Sequence, residues 1–242
     1  MYIIILIIFV LVFLYINKIF KETFTDVNNL NKKKNIKWKF KQNNIISFPR
    51  SGQHLIERTL KNYHNFKNMP YSYCEYYNCC NEIPCLYNLF YQKNHDFHQT
   101  LSINPQWKYI YLYRENKIEN IEAYFRYYYL PKLRDKRMKM NIDYENEETY
   151  NKLLSFCKTK MSYYNNLKNK YVSTQYENVL PIEYNNLVLK PQMYIEKILN
   201  FFNFNTNSIE IIDFIENHNE KIEKRNSLNK EIYERLKKDL KL

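Results

Sequence analysis

The sequence predicts an α/β protein on a mostly parallel central sheet, and three observations carry that prediction. Short apolar and aromatic runs alternate with segments of helical spacing along the body of the chain. Residues 44 to 65 read as strand, tight loop and helix, the opening unit of such folds. Setting aside an apolar run and its polar neighbour at the N-terminus leaves roughly 200 residues, enough for one domain with a substantial core.

The elements follow in order. Asn44 to Phe48 is a short buried strand, Pro49 to Gln53 a loop, and His54 to Asn65 a helix with Leu55, Ile56, Leu60 and Tyr63 on one face. Tyr71 to Asn88 reads as an irregular, cysteine-rich insertion. Leu89 to His95 is a strand, and Trp107 to Arg114 (WKYIYLYR) a stronger one, aromatic and β-branched throughout. Lys117 to Tyr129 is helical and Pro131 to Met140 a basic loop. Glu147 to Asn169 is a long helix with apolar positions at Tyr150, Leu153, Leu154, Cys157 and Met161. Asn178 to Ile182 is a strand. Pro191 to Phe202 is a helix with proline in its tolerated first position. Ser208 to His218 is another, with Ser208 as its cap. Ser227 to Lys241 is a charged terminal helix.

Composition bounds the rest. Apolar residues are 45% and aromatics 17%, which excludes a disordered chain. Tyr2 to Ile16 is uninterrupted apolar or tyrosine, short for a span but without a cleavage site behind it. The expected organisation is an uncleaved anchor at 1–17, a polar stem at 18–43 and a folded domain at 44–242. Lys18, Lys21 and Lys32 to Lys34 follow the run, and by the positive-inside rule they place the body in the cytosol. The cysteines argue for a lumenal, Golgi- or ER-like domain of a single-pass membrane protein. Cys74, Cys79, Cys80 and Cys85 cluster within twelve residues, which favours disulfides. Zinc held with His95 and His98 is the weaker alternative, because no C-x-x-C pair exists.

The chain has one glycine, where an average composition would give roughly 17. It falls at Gly52, inside the turn IISFPRSGQHLIERTL. Such a turn aims backbone N–H groups and a helix N-terminus at one point, which binds anions. Pro49 stiffens the entry, and Gly52 permits close approach or a positive φ. Arg50 adds a planar, permanently charged fork, while Ser51 and His54 can donate. The turn is not a Walker A loop, because the basic residue precedes the single glycine.

Ser47-Phe48-Pro49-Arg50-Ser51-Gly52 resembles the phosphosulfate-binding loop of the PAPS-dependent sulfotransferases (PAPS is 3′-phosphoadenosine 5′-phosphosulfate). In that family the P-[KR]-S-G loop after the first strand is usually followed by Thr-Thr-Trp; here Gln53, His54 and Leu55 follow. Gln92-Lys93-Asn94-His95-Asp96 is similar to the family's K-x-H at a strand end, which makes His95 the implied base with Lys93 beside it. His98 is the weaker alternative. Tyr109 to Arg114 resembles the strand whose terminal arginine binds the cofactor's 3′-phosphate. Eight residues on, the family carries a phosphate-binding serine where this chain has Glu122, a carboxylate that would repel a dianion. Ile182-Glu183-Tyr184-Asn185-Asn186-Leu187 is similar to the family's Y-E-D-L segment near the cofactor's base. Lys224-Arg225-Asn226 is the nearest match to a basic C-terminal loop, with Arg225 as the implied phosphate ligand.

The resemblance covers roughly residues 44 to 226. It implies a three-layer α/β/α, P-loop NTPase-like sulfotransferase fold. It also implies metal-free sulfuryl transfer from PAPS to a hydroxyl acceptor. Arg50, Lys93 and His95 would be catalytic. Pro49, Arg50, Ser51, Gly52, Gln53, His54, Arg114 and Arg225 would bind the cofactor. A carbohydrate or glycolipid acceptor fits the +12 charge. The basic loop (Lys132, Arg134, Lys136, Arg137, Lys139) would line its cleft. Two rivals stay open: a nucleotide or small-molecule kinase using Asp96 near the loop, and a tethered, non-catalytic binding protein on the same fold. Nucleic acid is not an expected partner, because the basic residues are scattered and no recognition module is present. The sequence leaves oligomeric state open.

Overall fold

Five strands pair in parallel in the order β2-β3-β1-β4-β5, so the first strand of the body lies in the middle of the sheet. They are β1 (Asn43–Ser47), β2 (Tyr73–Cys74), β3 (Tyr91–Asn94), β4 (Lys108–Tyr113) and β5 (Val179–Glu183). The structure is a computed structural model. It describes residues 43–74, 89–129, 142–204 and 228–242, all within the compact unit Phe40–Leu242. The expected anchor and stem lie outside these residues, as do Cys79, Cys80 and Cys85, the basic loop after Leu130, the helix at 208–218 and Arg225. Among the described residues no helix is long and apolar enough to cross a membrane.

Strand geometry sorts the core into two halves. Side chains alternate across a sheet, so Ile45 and Ile46 must serve opposite faces. Ile45, Ile110, Leu112, Leu180 and Ile182 meet α1 (Gln53–Phe66), α4 (Tyr184–Leu189) and α5 (Pro191–Phe201) through Ile56, Leu60, Tyr63, Leu187 and Ile198. Ile46, Tyr109 and Tyr111 meet α2 (Lys117–Tyr129), α3 (Glu147–Lys168) and α6 (Lys230–Asp239) through Ile121, Phe125, Leu153, Leu167 and Leu236. This is the expected α/β class, with helices on both faces of a mostly parallel sheet. Cys157 lies fully buried on the α3 side, where burial pushes its thiol up to about 12 and keeps it inert.

Most boundaries match the sequence reading within two residues, and α2 matches at both ends. Three features are new. The two-residue β2 extends the sheet inside the cysteine-rich insertion. The segment after β5 turns at once into the short helix α4, because the Glu183 carboxylate accepts from Asn186 N at 2.8 Å and caps it. The long helix α3 ends in a π-helical turn, Asn169–Ser173. The terminal helix starts at Lys230, three residues later than expected, and is capped by Asn229.

Candidate active site

Strand order fixes where a site can form. The chain runs from β1 outward to β2 and β3 on one side, then crosses to β4 and β5 on the other. The carboxyl end of β1 is therefore a topological switch point, the place where open parallel sheets bind ligands. Registers align the ends: Ile46 pairs with Asn94, Ser47 with Leu112, and Tyr113 with Glu183. The residues that follow, namely Phe48 to Gly52, His95, Arg114 and Tyr184, emerge along one edge.

The loop after β1 is a strained turn. Ser51 N donates to Phe48 O at 3.2 Å, and both Arg50 (φ 68°) and Gly52 (φ 102°) are left-handed around Ser51. Alternation of this kind turns successive N–H groups toward one side. Gly52 also begins α1, which has no side-chain cap and no acidic residue in its first turn. By contrast α3, α4 and α6 are each capped by a side chain. The glycine is required twice over. A Cβ there would sit 2.4 Å from Cε2 and 2.5 Å from Cδ2 of Tyr184, besides the positive φ.

One stripe of α2 holds the loop in shape. Asn120, Tyr124 and Tyr127 fall at i, i+4 and i+7 and share a face. Asn120 receives the Ser51 hydroxyl at 2.9 Å and donates to Pro49 O at 3.0 Å. Tyr124 packs edge-on against Phe48. The Arg50 guanidinium lies 5.0 Å over the Tyr127 ring. Glu122 is two residues, about 200°, around the helix from Asn120. Its carboxylate accepts from Arg126 and from the Tyr144 hydroxyl, both at 2.6 Å. It therefore faces α3 and the segment before it, on the far side of α2 from the loop.

The remaining candidate residues divide between the site and the scaffold. Arg114 follows β4 and lays its guanidinium 4.3 Å over the Tyr184 ring, which also lies against Gly52. Gln53 points inward instead. Its amide donates to Ile45 O at 2.7 Å and Asn94 O at 3.0 Å, tying β1 to β3. His54 is exposed on the first turn of α1, and Lys93 is half-buried on β3. His98 is exposed. Asp96 is 2% exposed, and its carboxylate accepts from Lys170 at 2.6 Å, Tyr171 at 2.8 Å and Leu101 N at 3.2 Å.

His95 is held in one tautomer. Its Nδ1 lies 2.8 Å from Ser47 O, which can only accept, so Nδ1 carries the proton and Nε2 keeps a lone pair. Burial is the main force lowering its pKa. The Ser47 carbonyl opposes that shift, and the charges of Lys93 and His54 add to it, leaving a value of about 4. At neutral pH the ring is an uncharged proton acceptor, next to a cation-rich loop. The edge thus brings together a glycine turn, two guanidinium groups and an imidazole whose Nδ1 proton is fixed.

Sequence reasoning missed four contributors: Asn120, Tyr127, Tyr163, whose hydroxyl donates to the His95 carbonyl, and the packing role of Tyr184. Helical phase alone could have found the first two, since both share a stripe of α2 with Tyr124.

No protein-family model matches the chain, and no curated protein matches it in sequence. Solved structures do match. Mouse sulfotransferase SULT7A1, complexed with PAP, aligns with a TM-score of 0.50 at 15% identity, over 72% of this chain and 63% of that one. The chain thus spans less than two thirds of that protein's length. The sulfotransferase domain from the curacin biosynthetic pathway aligns at 0.38 and 15% identity, over 83% of this chain and 97% of that one. The first of these likenesses shows a shared α/β fold.

Proposed function

We propose that this chain, which has a fold shared with a sulfotransferase, is a PAPS-dependent sulfotransferase acting on a hydroxyl acceptor, with His95 as its base. One observation carries the reading. A histidine locked with its proton on Nδ1 stands at the same sheet edge as the glycine turn and as Arg50 and Arg114. The PAP bound to the mouse protein supports a nucleotide of this type.

The residues present fit such a cofactor. The turn at 48–52 and the uncapped start of α1 suit the 5′-phosphosulfate, and Arg50 supplies a fixed positive charge beside it. Arg114, braced against Tyr184, suits the 3′-phosphate. When bound, the cofactor supplies the activated sulfuryl group. His95 Nε2 accepts the proton of the acceptor hydroxyl, and Lys93 stabilises developing oxyanion charge. Because Glu122 turns away toward Arg126 and Tyr144, it does not oppose the phosphate. Asp96, the carboxylate a kinase would need, is committed to three donors inside the fold. A carbohydrate acceptor, reached from a membrane-anchored lumenal domain, is the setting that the basic charge, the apolar N-terminus and the clustered cysteines support.

Calorimetric titration with PAP in the presence of EDTA tests the site. Arg50→Ala and Arg114→Ala should each weaken PAP by about 10- to 100-fold, the loss of one or two charge-assisted hydrogen bonds. Unchanged affinity in both would overturn the assignment. Glu122→Ser restores the residue the family carries, yet should leave PAP affinity within about twofold, because that position faces α3. It should lower Tm by about 5–10 °C, since Tyr144 loses its acceptor and Arg126 its counter-charge.

A further inference from the structure

The segment after His95 is tied to the rest of the protein by an unusual number of polar contacts from one helix face. Tyr163 donates its hydroxyl to the His95 carbonyl. Asn166 Nδ2 donates to Gln99 Oε1 at 2.9 Å. Lys170 reaches both the Asp96 carboxylate, at 2.6 Å, and the Gln99 carbonyl, at 3.2 Å. Tyr171 donates to the same Asp96 oxygen at 2.8 Å. Positions 163, 166, 170 and 171 share one side of a helix. The last two lie in the π-helical turn, and π-turns recur at functional sites.

Asp96 is the hub of this face. Its φ is 46°, a left-handed value that needs outside support. Its N–H donates to Asn94 Oδ1 at 2.6 Å, and its carbonyl accepts from Gln99 N at 2.9 Å. The Asp96 backbone is thus fixed on both sides of the peptide that leads from His95. The ring of Phe97 packs 5.1 Å from the His95 ring and stacks on Tyr163 at 6.2 Å.

We infer that Asp96, with Tyr163, Lys170 and Tyr171, forms a clamp whose task is to position His95 so that its Nδ1–H stays on Ser47 O and its Nε2 faces the reacting hydroxyl. These are positioning residues that act through the backbone of the 95–99 turn. The inference rests on His95 being the base, and the clamp explains why a strained, buried aspartate follows it. Misplacing a catalytic group by about 1 Å costs on the order of 100-fold in rate, so clamp variants should act mainly on kcat.

The test uses the full-length chain and two variants. Asp96→Asn keeps the shape but weakens the Lys170 contact; Tyr163→Phe removes one hydroxyl and keeps the ring stack, so it should fold. Long-range ¹H–¹⁵N NMR reads the tautomer and titration of His95 without relying on turnover. The groups that bear on that titration are the Ser47 carbonyl, Lys93 on the strand before it and His54 from α1, while Tyr163 touches the His95 carbonyl. In wild type the Nδ1–H form should dominate at neutral pH. In both variants the tautomers should mix and the titration should shift from its wild-type position. PAP affinity should stay within a few fold while kcat falls about 10-fold for Tyr163→Phe and about 100-fold for Asp96→Asn. Folded variants with an unchanged His95 tautomer and titration would overturn the clamp. Should wild type bind no PAP and transfer no sulfuryl group, the proposed activity would fail, yet the NMR result would still decide whether the clamp holds the ring.

Discussion

His95→Ala is expected to lower sulfuryl transfer by about 10²- to 10⁴-fold while leaving PAP affinity within a few fold, measured by single-turnover transfer and by calorimetry. On the proposed reading the separation arises because His95 takes the acceptor's proton, whereas the turn at 48–52 and Arg114 hold the nucleotide. The pH dependence carries more information. In the free enzyme burial, Lys93 and His54 hold the imidazole near 4, so kcat/KM should stay flat well below pH 6 and fall only toward 4. Bound anionic nucleotide places negative charge nearby and favours the imidazolium. The acid limb of kcat should therefore lie higher than that of kcat/KM. A limb near 6.5 in kcat/KM would contradict the burial seen here. Stability follows the same sign. The unfolded chain takes up the proton below about 6.5 and the folded one only near 4, so stability falls as pH drops through that window and is unaffected above it.

Gly52→Ala should be the most damaging single change in the scaffold. A left-handed alanine costs about 1–2 kcal/mol. The new Cβ would also lie 2.4 Å from the Tyr184 ring, a clash with a side chain already held against the Arg114 guanidinium. Relieving it by displacement adds about 1–3 kcal/mol. The sum predicts a fall in Tm of about 5–15 °C by calorimetry, together with loss of PAP binding as Tyr184 and Arg114 shift. Adding Tyr184→Leu should recover the part due to the clash and leave the part due to φ. Full additivity of the two changes would show that ring and glycine do not meet.

Much of the fold was legible because its signals are local. Short apolar and aromatic runs gave β1, β4 and β5, and the helix at Lys117 to Tyr129 was legible at both ends. The single glycine and the arginine beside it located the edge where the site forms. What escaped notice depends on partners distant in sequence. Gln53 looks like a loop donor until Ile45 O and Asn94 O, on two strands, claim its amide. The apolar period of α3 marks its buried face and gives no sign that Tyr163 and Asn166, with Lys170 just beyond the helix, hold the 95–99 turn. α4 has too few residues to show a period and owes its existence to the Glu183 cap. Glu122 looked like an obstacle because its charge was weighed without its helical phase.

The meeting of Gly52 with Tyr184 joins residues separated by more than half the chain. β1 likewise has no neighbour until β3 and β4 have been made. During synthesis the glycine turn therefore leaves the ribosome early and stays incompletely packed until β5 and α4 arrive. Contacts of such long range make folding slow, and they leave the edges of β1 exposed in the meantime. A nascent chain stopped before Tyr184 would carry every residue of the loop and lack the ring that packs on Gly52, so a chaperone that shields a bare parallel strand should engage this protein between those two points of its translation.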